Sequence, residues 1–80
     1  MDFWTGQLEL AQRRVAELEN KISLQRQKAQ QHHVLGLDTS LHMRLIAVMQ
    51  ESLTRAKIHV QHIEQRITEH QDQPHISLPA

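Results

Sequence analysis

Gly36-Leu37-Asp38-Thr39 is the strongest break in a chain of 80 residues that is otherwise rich in helix-favouring residues. Gly36 tolerates the left-handed backbone conformation that closes a helix. Asp38 and Thr39 are residue types whose side-chain oxygens cap the first turn of a following helix. The turn residues Gly36, Asp38 and Thr39 therefore predict a turn over 35–39, between a first helix over about 5–34 and a second over about 40–71.

Apolar residues recur on both sides of the turn at alternating spacings of three and four, which is the heptad pattern of helices that pack along one stripe. We call this stripe the seam. Its first-helix positions are Trp4, Leu8, Ala11, Val15, Leu18, Ile22, Gln25, Ala29 and His32. Its second-helix positions are His42, Ile46, Met49, Leu53, Ala56, Val60, Ile63, Ile67 and His70.

The short connection between two long helices predicts that they are antiparallel neighbours. Folding the chain at the turn pairs Leu8 with Ile67 at the open end and His32 with His42 beside the turn. Gln25 is a polar residue in the middle of the seam, where such a residue fixes the register of packed helices at a cost in stability. The predicted fold is therefore all-α, an antiparallel, coiled-coil-like two-helix hairpin.

A hairpin with one seam buries little apolar surface, so we expect it to self-associate. Leu41, Leu45 and Val48 broaden the apolar surface next to the turn. The prediction is that two hairpins pair there as a dimeric four-helix bundle. Residues 1–71 would form this one domain. Because Pro74 and Pro79 interrupt helices, residues 72–80 are predicted to be a flexible C-terminal tail.

The charge balance limits the classes of partner. Nine Lys and Arg residues match nine Asp and Glu residues, and the two signs are interspersed along the chain. Non-specific electrostatic binding to nucleic acid or to a membrane is therefore not expected. No apolar run approaches the roughly 18 residues of a membrane span. The start Met1-Asp2-Phe3-Trp4 lacks the basic character of a secretory signal, and there is no cysteine. These features predict a cytoplasmic protein.

Motifs for catalysis are missing from the sequence. It contains no glycine-rich phosphate loop, no nucleophile with an evident base and no zinc-protease histidine pattern. A thin hairpin also leaves no room for an enclosed pocket. We therefore predict that the protein is not an enzyme and has no catalytic residues or organic cofactor.

Histidine is the one compositional feature that suggests chemistry, with seven residues in the chain. The register places His32 and His42 opposite each other, and imidazoles that converge from two helices suit a transition-metal ion. The competing interpretation is a polar layer at the end of the bundle, or exposure to solvent, since Asp38 is the only carboxylate nearby. The histidine content also predicts a response to pH between 5 and 7.

Two stretches, VAELENKISLQR over residues 15–26 and GLDT over residues 36–39, resemble a group of small helical proteins of alphaproteobacteria, notably rhizobia. That group has a helix, a Gly-x-Asp-Thr turn and a second helix, whose start is similar to residues 45–53 here. The resemblance covers residues 8–67. It implies a bacterial, cytoplasmic helical hairpin and no particular mechanism.

The leading functional prediction is a structural or protein–protein interaction module that self-associates as a homodimer and docks a still unidentified protein partner. The alternative is a histidine-based transition-metal-binding or pH-responsive protein, with His32 and His42 as the metal ligands. A nucleic-acid-associated regulator is a weaker alternative, because the helices are far longer than a DNA-reading pair needs.

Overall fold

The computed structural model describes the backbone of residues 3–76 and the side chains of residues 3–69. This part of the chain is all-helical, with α1 over Phe3–Val34 and α2 over Ser40–Ile76. The two helices pack against each other along their length, so the predicted two-helix hairpin is confirmed. It is an elongated molecule with extents of 73 × 20 × 13 Å.

The end of α1 is fixed by backbone hydrogen bonds around Gly36. The N–H of Gly36 donates to the carbonyl of His33 at 3.0 Å, and the N–H of Leu37 donates to the carbonyl of His32 at 2.8 Å. This pair of bonds is the Schellman motif, which requires a left-handed residue at its centre. Gly36 supplies it with a φ of 75°. The turn therefore depends on glycine at this position.

The start of α2 is capped by Asp38. Its Oδ1 accepts hydrogen bonds from the backbone N–H of Ser40 at 2.9 Å and from the Ser40 hydroxyl at 2.7 Å. The carbonyl of Thr39 accepts the first helical bond, from the N–H of Met43 at 3.0 Å. Thr39 therefore occupies the backbone cap position, while the side chain of Asp38 satisfies a free donor of the first turn.

The hairpin interior follows the seam. Ile63 keeps only 3 % of its surface exposed, and the centre of the interior is formed by Ile22, Ala29 and Ile46 with Met49 and Leu53 beside them. The buried positions of the described chain are Ala11, Leu18, Ile22, Ala29, Ile46, Ala56 and Ile63. The half-buried seam positions are Trp4, Leu8, Val15, Gln25, His32, His42, Met49, Leu53, Val60 and Ile67.

Both helices are longer than the sequence predicts. Helix α1 spans Phe3–Val34, and the rings of Phe3 and Trp4 in its first turn meet edge-on with centroids 5.1 Å apart. Helix α2 continues to Ile76, so it extends into the predicted tail over residues 72–76. Pro74 removes a single N–H donor from the last turns, and the helix continues past it. The remainder of the predicted tail, residues 77–80, lies outside the described residues.

Candidate functional site

Three polar side chains converge on the seam beside the turn. The Nε2 of His42 lies 3.0 Å from the Nδ1 of His32, and the two rings meet edge to face with centroids 4.4 Å apart. The other ring nitrogen of His42, Nδ1, is hydrogen-bonded to the side-chain amide of Gln25. All three residues are half-buried. We call this group the Gln25–His42–His32 chain.

The direction of hydrogen bonding in this chain is set by tautomers. With the Gln25 amide N–H donating to Nδ1 of His42, Nε2 of His42 carries the hydrogen and donates to Nδ1 of His32. If the amide is turned by half a rotation, its oxygen accepts from Nδ1 of His42, and Nε2 of His42 becomes the acceptor. Gln25 therefore decides whether Nε2 of His42 faces His32 with a hydrogen or with a lone pair.

The histidines of the Gln25–His42–His32 chain are positioned by the backbone of the turn. The carbonyl of His32 accepts the Schellman bond from Leu37, and the following residue, His33, accepts the bond from Gly36. His42 lies in the first turn of α2, whose start is capped by Asp38. The position of both imidazoles is therefore determined by the same short turn that closes the hairpin.

Asp38 does not join the histidines. Its carboxylate is engaged by Ser40, whose hydroxyl and backbone N–H lower the pKa of Asp38 from its ordinary value of 3.8. His33 is exposed. Among the residues that the structure describes, no three His, Asp or Glu side chains gather closely enough to hold one metal ion. The predicted ligands His32 and His42 thus meet as a pair, without a third protein ligand.

His59 and His62, which lie three residues apart on α2, are arranged differently from His32 and His42. Both side chains are exposed and line separate grooves. His59 lies with Arg14 and Arg55, whereas His62 lies with Arg66 in a groove farther along α2. The arginines beside His59 oppose the binding of a cation there, whereas His62 has both Arg66 and Glu69 in its groove. The side chains of His70 and His75 lie outside the described part of the chain.

A second feature of the turn end is an exposed apolar surface. We define the turn-end face as Leu24 and Leu35 of the first half with Leu41, Leu45 and Val48 of the second. Leu41 is 68 % exposed and Val48 is 59 % exposed. Leu41, Leu45 and Val48 each precede a seam position of α2, and Leu24 precedes Gln25 of α1. In an antiparallel pair, positions directly before the seam on both helices fall on one face.

The grooves and ion pairs of the molecule agree with this division into two faces. Arg14 precedes a seam position and lines one groove with Ser52 and Arg55, which also precede seam positions. Residues that follow seam positions meet on the opposite side, where Lys57 approaches Glu19 at 4.0 Å. The large exposed aliphatic side chains of the helices thus concentrate on one face, and mainly at its turn-end half.

The open-end half of the same face is basic. Arginines and histidines outnumber acidic residues at the positions that precede the seam there, which include Arg14, Arg55, Arg66, His59 and His62 with Glu17, Glu69 and Leu10. The apolar turn half and the basic open half therefore share one face of the hairpin but differ in chemistry.

The chain matches no protein family model, no curated protein and no solved structure. Within the described residues, neither helix has a segment that is long and apolar enough to cross a membrane.

Sequence reasoning missed two parts of this geometry. Leu24 is not a seam residue, and the heptad pattern of α1 alone does not place it beside Leu41 and Leu45 on one face. The signal was available, because each of these residues immediately precedes a seam position. Sequence reasoning also set Gln25 opposite Met49, whereas the Gln25 amide reaches His42.

Proposed function

We propose that the protein is a protein–protein interaction module that pairs with a second copy of itself through the turn-end face. The paired hairpins form a dimeric four-helix bundle. The observation that carries this proposal is the contrast between a thin interior and a large exposed aliphatic surface on one face. The structure contains one copy of the chain, and the second copy is inferred from that contrast.

The interior of one hairpin is small. Three of the buried positions in the described chain, Ala11, Ala29 and Ala56, are alanines, which bury little apolar area. Leu24, Leu41 and Val48, by contrast, are at least half exposed. Burial of such side chains contributes about 25 cal/mol per Å² of apolar surface. A second layer of helices over the turn-end face would bury more aliphatic surface than the seam can alone.

The size of the molecule allows such an interface. A stable protein–protein interface takes about 800 Å² from each partner. One hairpin exposes 6471 Å² in total, so the interface would cover a small part of its surface. Contiguous apolar patches of a few hundred Å² on a small protein commonly mark interaction sites.

Charge favours one alignment of the two copies. If the hairpins lay side by side with their turns at the same end, Arg14, Arg55 and Arg66 of one copy would face the same residues of the other. Like charges placed opposite each other cost free energy. With the copies reversed, the apolar turn halves overlap and the basic halves point away from each other. We therefore propose a reversed, half-overlapping pair that is longer than the 73 Å of one hairpin.

Sedimentation equilibrium with matched variants tests the proposal. The double variant Leu41→Gln/Val48→Gln changes the turn-end face, and Met43→Gln/Ala47→Gln changes the opposite face near the same turns. We expect the first variant to shift the chain to monomer and the second to leave the dimer intact. Small-angle scattering of the wild type should give a maximum dimension clearly above that of one hairpin.

The experiment also covers the case in which separated hairpins unfold. The wild-type melting temperature should then rise with protein concentration, as expected for folding coupled to association. A wild-type chain that is monomeric, folded and melts independently of concentration would contradict the proposal. Equal dissociation by both double variants would contradict the assignment to the turn-end face.

A further inference from the structure

We propose that His32 and His42 form a two-histidine binding site for a divalent transition-metal ion, and that Gln25 orients His42 for it. The ion belongs to the class that prefers imidazole ligands, such as Zn²⁺, Cu²⁺ or Ni²⁺. This inference does not depend on dimerisation, because both ligands come from one chain. It assigns a binding function to the polar end of the seam.

The two donor atoms already face each other. The Nε2 of His42 and the Nδ1 of His32 are 3.0 Å apart. A tetrahedral ion that is bound by imidazoles at 2.0–2.1 Å holds its two nitrogens about 3.4 Å apart. The two nitrogens must therefore separate by about 0.4 Å, and the rings must tilt so that both lone pairs point at the ion.

Gln25 supplies the hydrogen bond that a metal-binding histidine needs at its other ring nitrogen. A metal-binding histidine usually donates its other ring N–H to a nearby acceptor, which fixes the tautomer. The Gln25 amide is hydrogen-bonded to Nδ1 of His42. When its oxygen faces this nitrogen, Nδ1 carries the hydrogen and Nε2 presents its lone pair to the ion. The hydrogen moves from Nε2 to Nδ1 of the same neutral ring, so no net proton is released.

The surroundings permit access to the site. His32 and His42 are half-buried, so an ion held between them can keep water molecules in its remaining coordination positions. Buried polar groups are ordinarily paired, and the three side chains of the chain satisfy one another without a metal. Binding would therefore exchange the hydrogen bond between the two rings for two bonds to the ion.

Titration of the untagged full-length chain with Zn²⁺ tests the inference by calorimetry and by NMR of the imidazole nitrogens. We expect one ion per chain, with shifts at Nε2 of His42 and Nδ1 of His32. This measurement uses the wild type and so does not depend on a variant that folds. The absence of binding at micromolar Zn²⁺, or shifts confined to His59 and His62, would overturn the proposal.

Variants then separate the ligands from the orienting residue. His42→Ala and His32→Ala should each weaken Zn²⁺ binding by at least about tenfold, whereas His59→Ala should leave it unchanged. Substitution of a residue that hydrogen-bonds to a metal ligand alters the affinity for the metal by about 10–100-fold. Gln25→Glu, which can only accept from Nδ1, should therefore tighten binding about tenfold, and Gln25→Leu should weaken it by a similar factor.

Gln27→Leu is the matched control for Gln25, because Gln27 is exposed on the same helix. Circular dichroism of each variant reports whether the hairpin is retained. Equal Zn²⁺ affinity in Gln25→Glu, Gln25→Leu and the wild type would overturn the role of Gln25. Loss of binding in the His59→Ala variant would overturn the location of the site.

Discussion

The turn end and the open end of the hairpin share one seam but differ in what flanks it. At the open end, Leu8 and Ile67 are half-buried, and the surface beside them carries Arg14 and Arg66. At the turn end, the flank is aliphatic and the seam itself becomes polar, with His32 paired to His42. The comparison shows that a uniform heptad pattern does not imply a uniform surface. The chemistry available for binding is concentrated next to the turn.

Breaking the seam at the turn end should have the largest effect on stability. Ile46 is 5 % exposed and packs with Ile22 and Ala29. Ile46→Ala should lower the free energy of unfolding by about 2–4 kcal/mol, because it removes buried methyl groups and leaves a cavity. Chemical denaturation measures the change. Ile58→Ala is the control, since Ile58 is exposed, and a loss of equal size there would contradict the seam as the main interior.

Substitution of the two glycines by alanine compares the turn end and the open end of the hairpin directly. Gly36→Ala should destabilise the hairpin by about 1–2 kcal/mol, because an alanine at a φ of 75° is strained although no atom lies within 4 Å of the added carbon. Gly6→Ala should stabilise it by about 0.5–1 kcal/mol, since Gly6 lies within α1 and has open space around it. Thermal melts of both variants decide this, and a stabilising Gly36→Ala would contradict the turn geometry.

A smaller effect is expected at Asp38, and it should depend on pH. Hydrogen bonds from the Ser40 hydroxyl and backbone N–H lower the pKa of Asp38 in the folded state. A carboxyl group with a depressed pKa stabilises the fold above its unfolded value, and this contribution is lost as pH falls through the folded value. Asp38→Ala should therefore be less stable than the wild type at pH 7.

The same variant should approach the wild type in stability as the pH falls below 3.8, the ordinary pKa of this carboxyl group. Denaturant midpoints measured across pH give the comparison. Asp38→Asn, which keeps an acceptor but removes the charge, shows how much of the difference is electrostatic. A difference between Asp38→Ala and the wild type that grows towards acid pH would contradict the capping role.

Much of the hairpin follows from the sequence because it depends on periodicity and on one glycine. The spacing of residues such as Leu18, Ile22 and Ile63 predicts which side of each helix is covered, and Gly36 predicts where the chain reverses. The end of α2 was not predicted, because Pro74 lacks an N–H donor and its ring crowds the preceding turn, so a helix was expected to stop before it, yet α2 runs to Ile76.

The candidate site is predictable only in part, because heptad spacing gives the register of the helices but not the reach of each side chain. Register alone places His32 opposite His42, since both are seam positions equally far from the turn. The bond from Gln25 to His42 depends on the length and rotamers of these two side chains, which do not enter a heptad pattern. The turn-end face required a further step, which is to compare the positions that precede the seam on the two helices.

The central claim, that two hairpins pair through the turn-end face, is tested most directly by a distance between spin labels. The chain has no cysteine, so a single label can be placed at Gln31→Cys on the proposed interface side or at the adjacent Gln30→Cys on the opposite side. Our proposal predicts a well-defined inter-subunit distance for position 31 that is shorter than that for position 30. No inter-subunit coupling at either position, or a shorter distance at position 30, would contradict it.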